Sequence, residues 1–172
     1  MKKHNGMRPQ DVALLLAIAS LQEEPWQMKQ LSEMTGISRG EVSESLNRSA
    51  YGGLLSINKS SVHKLAFFDL LEFGLRHIFP VHPGEKVKGV PTAISASPLN
   101  KMIMSNVQFV WPSENGKVVG FAIDSLYKTL PEHAIHYQGF YELLALTDAL
   151  RFGKVRERQL AMEELKLRIG GK

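Results

Sequence analysis

The run Met28-Lys29-Gln30-Leu31-Ser32-Glu33-Met34-Thr35-Gly36-Ile37-Ser38-Arg39-Gly40-Glu41-Val42-Ser43-Glu44-Ser45-Leu46-Asn47-Arg48 carries the densest structural signal in the 172-residue chain. Met28, Leu31 and Met34 recur at a spacing of three, which predicts a short helix, and Gly36 ends it by tolerating a positive φ. Ser38 and Glu41 stand at capping-box spacing, hydroxyl and carboxylate each positioned to satisfy an orphan amide of a second helix that runs to about Ser49. Leu31, Ile37, Val42 and Leu46 can close a small core where two such helices cross steeply, and the small Ser32 permits their close approach.

Upstream, Pro9 suits the first turn of a helix and Asp11 its positive end, and apolar residues then occupy nearly every side through Leu21. This predicts a buried first helix, broken by Gln22-Glu23-Glu24-Pro25. Lys2, Lys3 and Arg8 ahead of Val12–Leu21, with Ala17-Ile18-Ala19, have the outline of a secretion signal. The apolar segment left by a cut there is too short, and Asp11 stands where a cation is expected. Downstream, Tyr51-Gly52-Gly53 ends the third helix, Leu54-Leu55-Ser56-Ile57 reads as a short strand, and Asn58-Lys59-Ser60-Ser61 as a turn.

With this order of apolar helix, short helix, glycine turn, capped helix and strand, residues 8 to about 60 resemble the winged helix-turn-helix regulators typified by the MarR group of bacterial repressors. The resemblance implies that the third helix enters the major groove and presents Ser38, Arg39, Ser43, Asn47 and Arg48. Arg can address guanine bidentately, Asn adenine, and Ser38 a phosphate. It makes Gln27 and Lys29 phosphate contacts and Lys59 the one charge of the wing. In the family the second inward position falls three residues after the valine, here Ser45, with Leu46 one residue later. Glu41 and Glu44 balance Arg39 and Arg48, so Glu44 is expected to meet a cytosine amine or turn outward.

Beyond the turn, Leu65, Phe68, Leu71, Leu75 and Ile78 form the apolar stripe of a fourth helix ending near Phe79-Pro80. Pro80, Pro83, Pro91 and Pro98 with Gly84 and Gly89 leave a connector with at most a short edge strand at Lys86–Val90. Val107, Phe109 and Trp111, then Asn115-Gly116, then Val119, Phe121 and Ile123 predict a β-hairpin over 107–123. Phe140, Leu143, Leu146 and Leu150 mark a helix that Gly153 interrupts. Val155, Met162, Leu165 and Ile169 mark another, which could pair with its own copy or pack on the fourth helix. The fold class is therefore α+β, mainly α. An N-terminal winged helix-turn-helix with its linking helix occupies 1–79, and a helix/β-hairpin/helix region for dimerisation or for sensing a partner or effector occupies 80–172.

The chain has 0 Cys, which excludes disulfides, thiolate metal sites and cysteine nucleophiles, and points to the cytoplasm. Its 21 Lys and Arg against 17 Asp and Glu give +4, which fits a polyanion without demanding one. No apolar run is long enough for a membrane span. Glu132, His133 and His136 lack metalloenzyme spacing, and no nucleophile elbow or phosphate loop occurs, so no cofactor, metal or catalytic residue is expected. Arg151, Lys154, Arg156 and Arg158 read as a solvated helix face, and Trp111, Phe121, Tyr127, Phe140 and Tyr141 as core packing rather than an effector pocket. The expected function is a repressor that binds double-stranded DNA as a homodimer. The alternative is a non-catalytic module, such as an antitoxin, that docks a partner protein through 100–172.

Overall fold

In the computed structural model, which describes residues 5–170, the chain is mainly helical with one small three-stranded sheet. Lys2 and Lys3 lie outside the described residues. Helix α1 (Pro9–Ser20) begins with proline, and Asp11 in its first turn accepts the Arg8 backbone N–H at 2.9 Å. Residues 11–18 are all buried, so α1 is the hub of the molecule. It packs on α2 (Met28–Thr35) and α3 (Arg39–Tyr51), and on its other side against α7 (Gln138–Phe152) and α8 (Val155–Gly170).

The turn between α2 and α3 forms as its residues dictate. Gly36 takes φ 72 and its N–H donates to the Ser32 carbonyl at 2.8 Å. The Ser32 hydroxyl donates to the Ile37 carbonyl at 2.6 Å, so the small residue also ties the turn. A Cβ on Gly36 would lie 2.5 Å from the His133 ring, which seals this turn from the far end of the chain.

After α3 the chain makes a narrow hairpin over 54–63. A single antiparallel bridge joins Leu55 and Val62, and the Ser56 N–H donates to the Ser61 carbonyl. The rod that follows consists of α4 (Lys64–Asp69), a π-helical turn (Leu70–Gly74) and α5 (Leu75–Ile78). Its buried residues are Phe67, Phe68, Leu71 and Leu75. Leu65 and Ile78, expected on the apolar stripe, are exposed instead: in α4 the buried face centres on Phe67 and Phe68, away from Leu65, and Ile78 follows the wide turn, which shifts the helical phase.

The sheet departs from expectation. Strand β1 (Lys86–Pro91) is no edge strand, since it pairs antiparallel with both β2 (Phe109–Pro112) and β3 (Val118–Ala122). Strands β2 and β3 run parallel and also pair, closing a three-stranded barrel, so the predicted β-hairpin over 107–123 does not form. The segment around Asn115-Gly116 crosses the barrel end rather than folding β2 back on β3. Three glycines permit the closure, since a Cβ on Gly89 would sit 2.0 Å from the Trp111 carbonyl oxygen, one on Gly116 2.3 Å from Gly89, and one on Gly120 2.6 Å from the Gln108 carbonyl oxygen.

The barrel is pinned to α7 by a buried carboxylate. Asp148 accepts the Trp111 indole N–H at 2.6 Å, the Thr92 hydroxyl at 2.7 Å and the Arg151 guanidinium at 2.9 Å. Arg151 also donates to the carbonyls of Phe79 and Asp124, so it belongs to the interior and not to a solvated face. Tyr141, whose hydroxyl bonds the Pro91 carbonyl, is pushed up to about 12 by burial. Trp111 and Phe140 are core residues. On α8, Met162, Leu165 and Ile169 are buried against the rest of this chain while Val155 is exposed, so the C-terminal stripe packs intramolecularly. No helix among the described residues is long and apolar enough to cross a membrane.

Candidate nucleic-acid interface

Helix α3 starts at Ser38, whose hydroxyl accepts the Glu41 N–H at 3.3 Å. The reciprocal half of the capping box is absent because the Glu41 carboxylate faces inward. It accepts from Arg48 at 2.7 Å and from the Gln10 amide at 3.1 Å. Val42, Ser45 and Leu46 are buried, so Ser45 and Leu46 both face the core. The Ser45 hydroxyl donates to Asp11 at 2.6 Å, which is how a polar residue serves at an inward position.

This arrangement corrects the assignment of Arg48. Its side chain is buried, with Nε 2.9 Å and Nη2 2.7 Å from the two oxygens of Asp11, a bidentate pair inside the three-helix unit. The two carboxylates raise its already high pKa further, the hydrogen bonds to Asp11 foremost. Arg48 holds α3 on α1 and cannot reach a base.

The outward row of α3 is Arg39, Ser43 and Asn47, four residues apart, with Gly40 open to solvent beside Arg39. Arg39 and Asn47 are exposed and Ser43 is half-buried. Asn47 accepts a hydrogen bond from the Lys59 ammonium, which links α3 to the tip of the hairpin. Lys59 sits in a left-handed conformation (φ 60), and the Asn58 side chain accepts from the Ser56 hydroxyl at 2.7 Å and the Ser60 N–H at 3.2 Å, fixing the loop that carries it. Gln27 and Lys29 are exposed at the start of α2, where Gln27 is the N-cap residue and Lys29 lies 3.8 Å from Glu33.

Between α2, α3 and the hairpin tip runs an open groove of about 460 Å³ lined by Trp26, Met28, Ser43, Leu46, Asn58, Lys59 and Ser60. Four of the expected residues, Arg39, Ser43, Asn47 and Lys59, thus lie on α3 or along this groove, with Ser38 capping α3, Gln27 capping α2 and Lys29 on α2. Sequence reasoning missed Trp26 and Asn58. Trp26 follows a proline in what reads as a linker, and only the folded hairpin brings it beside α3. Tyr51, four residues beyond Asn47 on α3, and Ile57, 93% exposed in the hairpin, are also open to solvent.

Glu132, His133 and His136 form no ligand set, and no group of three metal-binding side chains occurs among the described residues. The Glu132 carboxylate accepts from Ser113 at 2.5 Å and Asn115 at 3.1 Å, which hold it below the usual carboxylate range. His133 lies 3.1 Å from the Glu33 carbonyl, and the Thr129 hydroxyl donates to the Thr35 carbonyl at 2.6 Å. These contacts tie the C-terminal half to α2. Comparison with family models, with curated proteins and with solved structures finds no match.

Proposed function

We propose that the chain is a sequence-reading DNA-binding regulator of the winged helix-turn-helix kind, a repressor that occupies an operator inside the cell as a homodimer. Helix α3 is the recognition helix and the hairpin over 54–63 the wing. The observation that carries this reading is the exposed row Arg39–Ser43–Asn47 on a helix anchored from behind by Arg48 and Asp11 and linked in front to Lys59. A groove-reading helix needs fixed orientation more than added charge, because phosphate contacts supply affinity and base contacts supply choice. In this reading Arg39 and Asn47 address guanine and adenine edges, and Gln27, Lys29 and Ser38 contact phosphates. No catalytic step belongs to this reading.

The test is selection of a preferred duplex from a random-sequence pool by the full chain, followed by binding across a salt series. Arg39→Ala and Asn47→Ala are each expected to weaken binding to the selected duplex by about 1–3 kcal/mol, roughly 10- to 100-fold, and to relax choice at one base position. Lys29→Ala should weaken all duplexes alike and flatten the salt slope. Failure to enrich any sequence, or equal binding to scrambled duplex by all variants, overturns the reading.

A further inference from the structure

The rod from Lys64 to Ile78 buries Phe67, Phe68, Leu71 and Leu75 and turns a different row outward: Leu65, Asp69, Phe73 and His77, all exposed. Leu65 is 81% and Phe73 68% exposed, high values for such side chains on an otherwise well-packed helix. In a regular α-helix of 3.6 residues per turn, residues four apart drift round the axis by about 40° per step. The π-helical turn over Leu70–Gly74, with its wider i→i+5 bonding, slows that drift at mid-row and keeps the four side chains on one face. Such turns recur at functional positions in helices.

The row reads apolar, acidic, aromatic, basic. Neither Asp69, Arg76 nor His77 has an ion-pair partner among the described residues. Lay a second copy antiparallel across this face with the two-fold axis at Phe73. Phe73 then meets Phe73, each Asp69 meets the Arg76–His77 end of the other copy, and each Leu65 lies over the chain just beyond His77. A parallel arrangement would set Asp69 on Asp69. A two-fold interface must be self-complementary, and this charge order is complementary to itself reversed. The face continues onto α8, because Lys166 bridges Glu72 at 3.1 Å and the neighbouring Leu167 is 74% exposed.

We infer that this outer face of α4–α5 is where two copies of the chain associate, about an axis at Phe73. The inference supplies the dimer that the proposed function uses, but it stands on this face alone and is measured without DNA, so either can fail independently.

The chain has 0 Cys, which allows a direct test. With oxidised glutathione, Phe73→Cys is expected to give a disulfide-linked dimer, while Val119→Cys on the barrel is expected to stay monomeric. Sedimentation over a concentration series should show a monomer–dimer equilibrium for the natural chain. Asp69→Arg should weaken it at least tenfold, and adding Arg76→Asp and His77→Asp to that variant should restore it. All five positions are exposed, so unchanged circular dichroism is expected throughout. A chain that is monomeric at every concentration, or a dimer indifferent to Asp69→Arg and not trapped by Phe73→Cys, overturns the inference.

Discussion

Asp11 accepts four hydrogen bonds while fully buried: the Arg8 backbone N–H, the Ser45 hydroxyl and two from Arg48. A carboxylate that deep is tolerable only when every lone pair is answered, and its partners lie as far as 37 positions away in sequence. Glu41 completes the set from its edge. The hydrogen bond from Arg48 foremost, against the opposing effect of partial burial, holds Glu41 below the ordinary carboxylate value. A carboxyl whose folded pKa lies below its unfolded one binds its proton more readily in the unfolded chain. Its contribution to stability is therefore complete above the ordinary carboxylate range and is lost as pH falls through the lower, folded value. Glu132 acts in the same direction. Glu41→Gln, which keeps an acceptor for Arg48 but cannot titrate, should lose less stability than the natural chain between neutral pH and about pH 3. Urea unfolding midpoints at both pH values measure the difference, and equal losses would show that Glu41 does not couple to folding. Substitution of Arg48 probes this interior pair, so it reports on folding and not on base recognition.

Among the elements, the barrel is the one that depends most on missing side chains. Gly89 lies between β2 and β3, and a methyl group there would need to occupy the space of the Trp111 backbone. Backbone cannot yield as a side-chain tip does, so Gly89→Ala should open the barrel and remove the fixed environment of the Trp111 indole. Near-UV circular dichroism and tryptophan emission will show it: a loss of the Trp111 signal is expected, while Gly139→Ala, where the added carbon meets nothing within 4 Å beyond its own neighbours and helix backbone, should leave both spectra unchanged. The contrast also explains what could be read in advance. Helices α1 to α3, α7 and α8 announce themselves through local period and punctuation, and so does the Gly36 turn. The barrel does not, because Asn115-Gly116 has the chemistry of a hairpin turn whether or not its flanking strands pair. Nothing local shows that Lys86–Pro91 will insert between them. The π-helical turn is similarly silent, and it takes Ile78 off a stripe assigned by regular spacing. On α3, the outward row is legible from the inward one, whereas the burial of Arg48 is not, because its partner Asp11 sits on another helix.

At the scale of the whole molecule, one hydrophobic cluster runs from Val12 to Ile169 without a gap at residue 79. Helix α1 has no solvent side over 12–18, so it needs α3 and α2 on one flank and α7 and α8 on the other. The polar ties cross the same line: Arg151 donates to the Phe79 carbonyl, Thr129 to the Thr35 carbonyl, and the His133 ring fills the space over Gly36. A fragment of residues 1–79 would leave the α7-facing side of α1 in water. At about 25 cal/mol per Å² of apolar surface, even a few hundred Å² so exposed takes back several kcal/mol, comparable to the whole stability of a small domain. The fragment is therefore expected to bind a hydrophobic dye, to melt without a cooperative transition, and to regain cooperativity on mixing with residues 80–172. A sharp melt of 1–79 alone would instead make α1 to α5 an independent domain, and the contacts through α7 a docking interface. The cooperative outcome has a functional corollary, because α3 is oriented by α1 and α1 is held by α7. Any partner or ligand that shifts the C-terminal helices then acts on the outward row of α3 through the core itself, with no separate hinge.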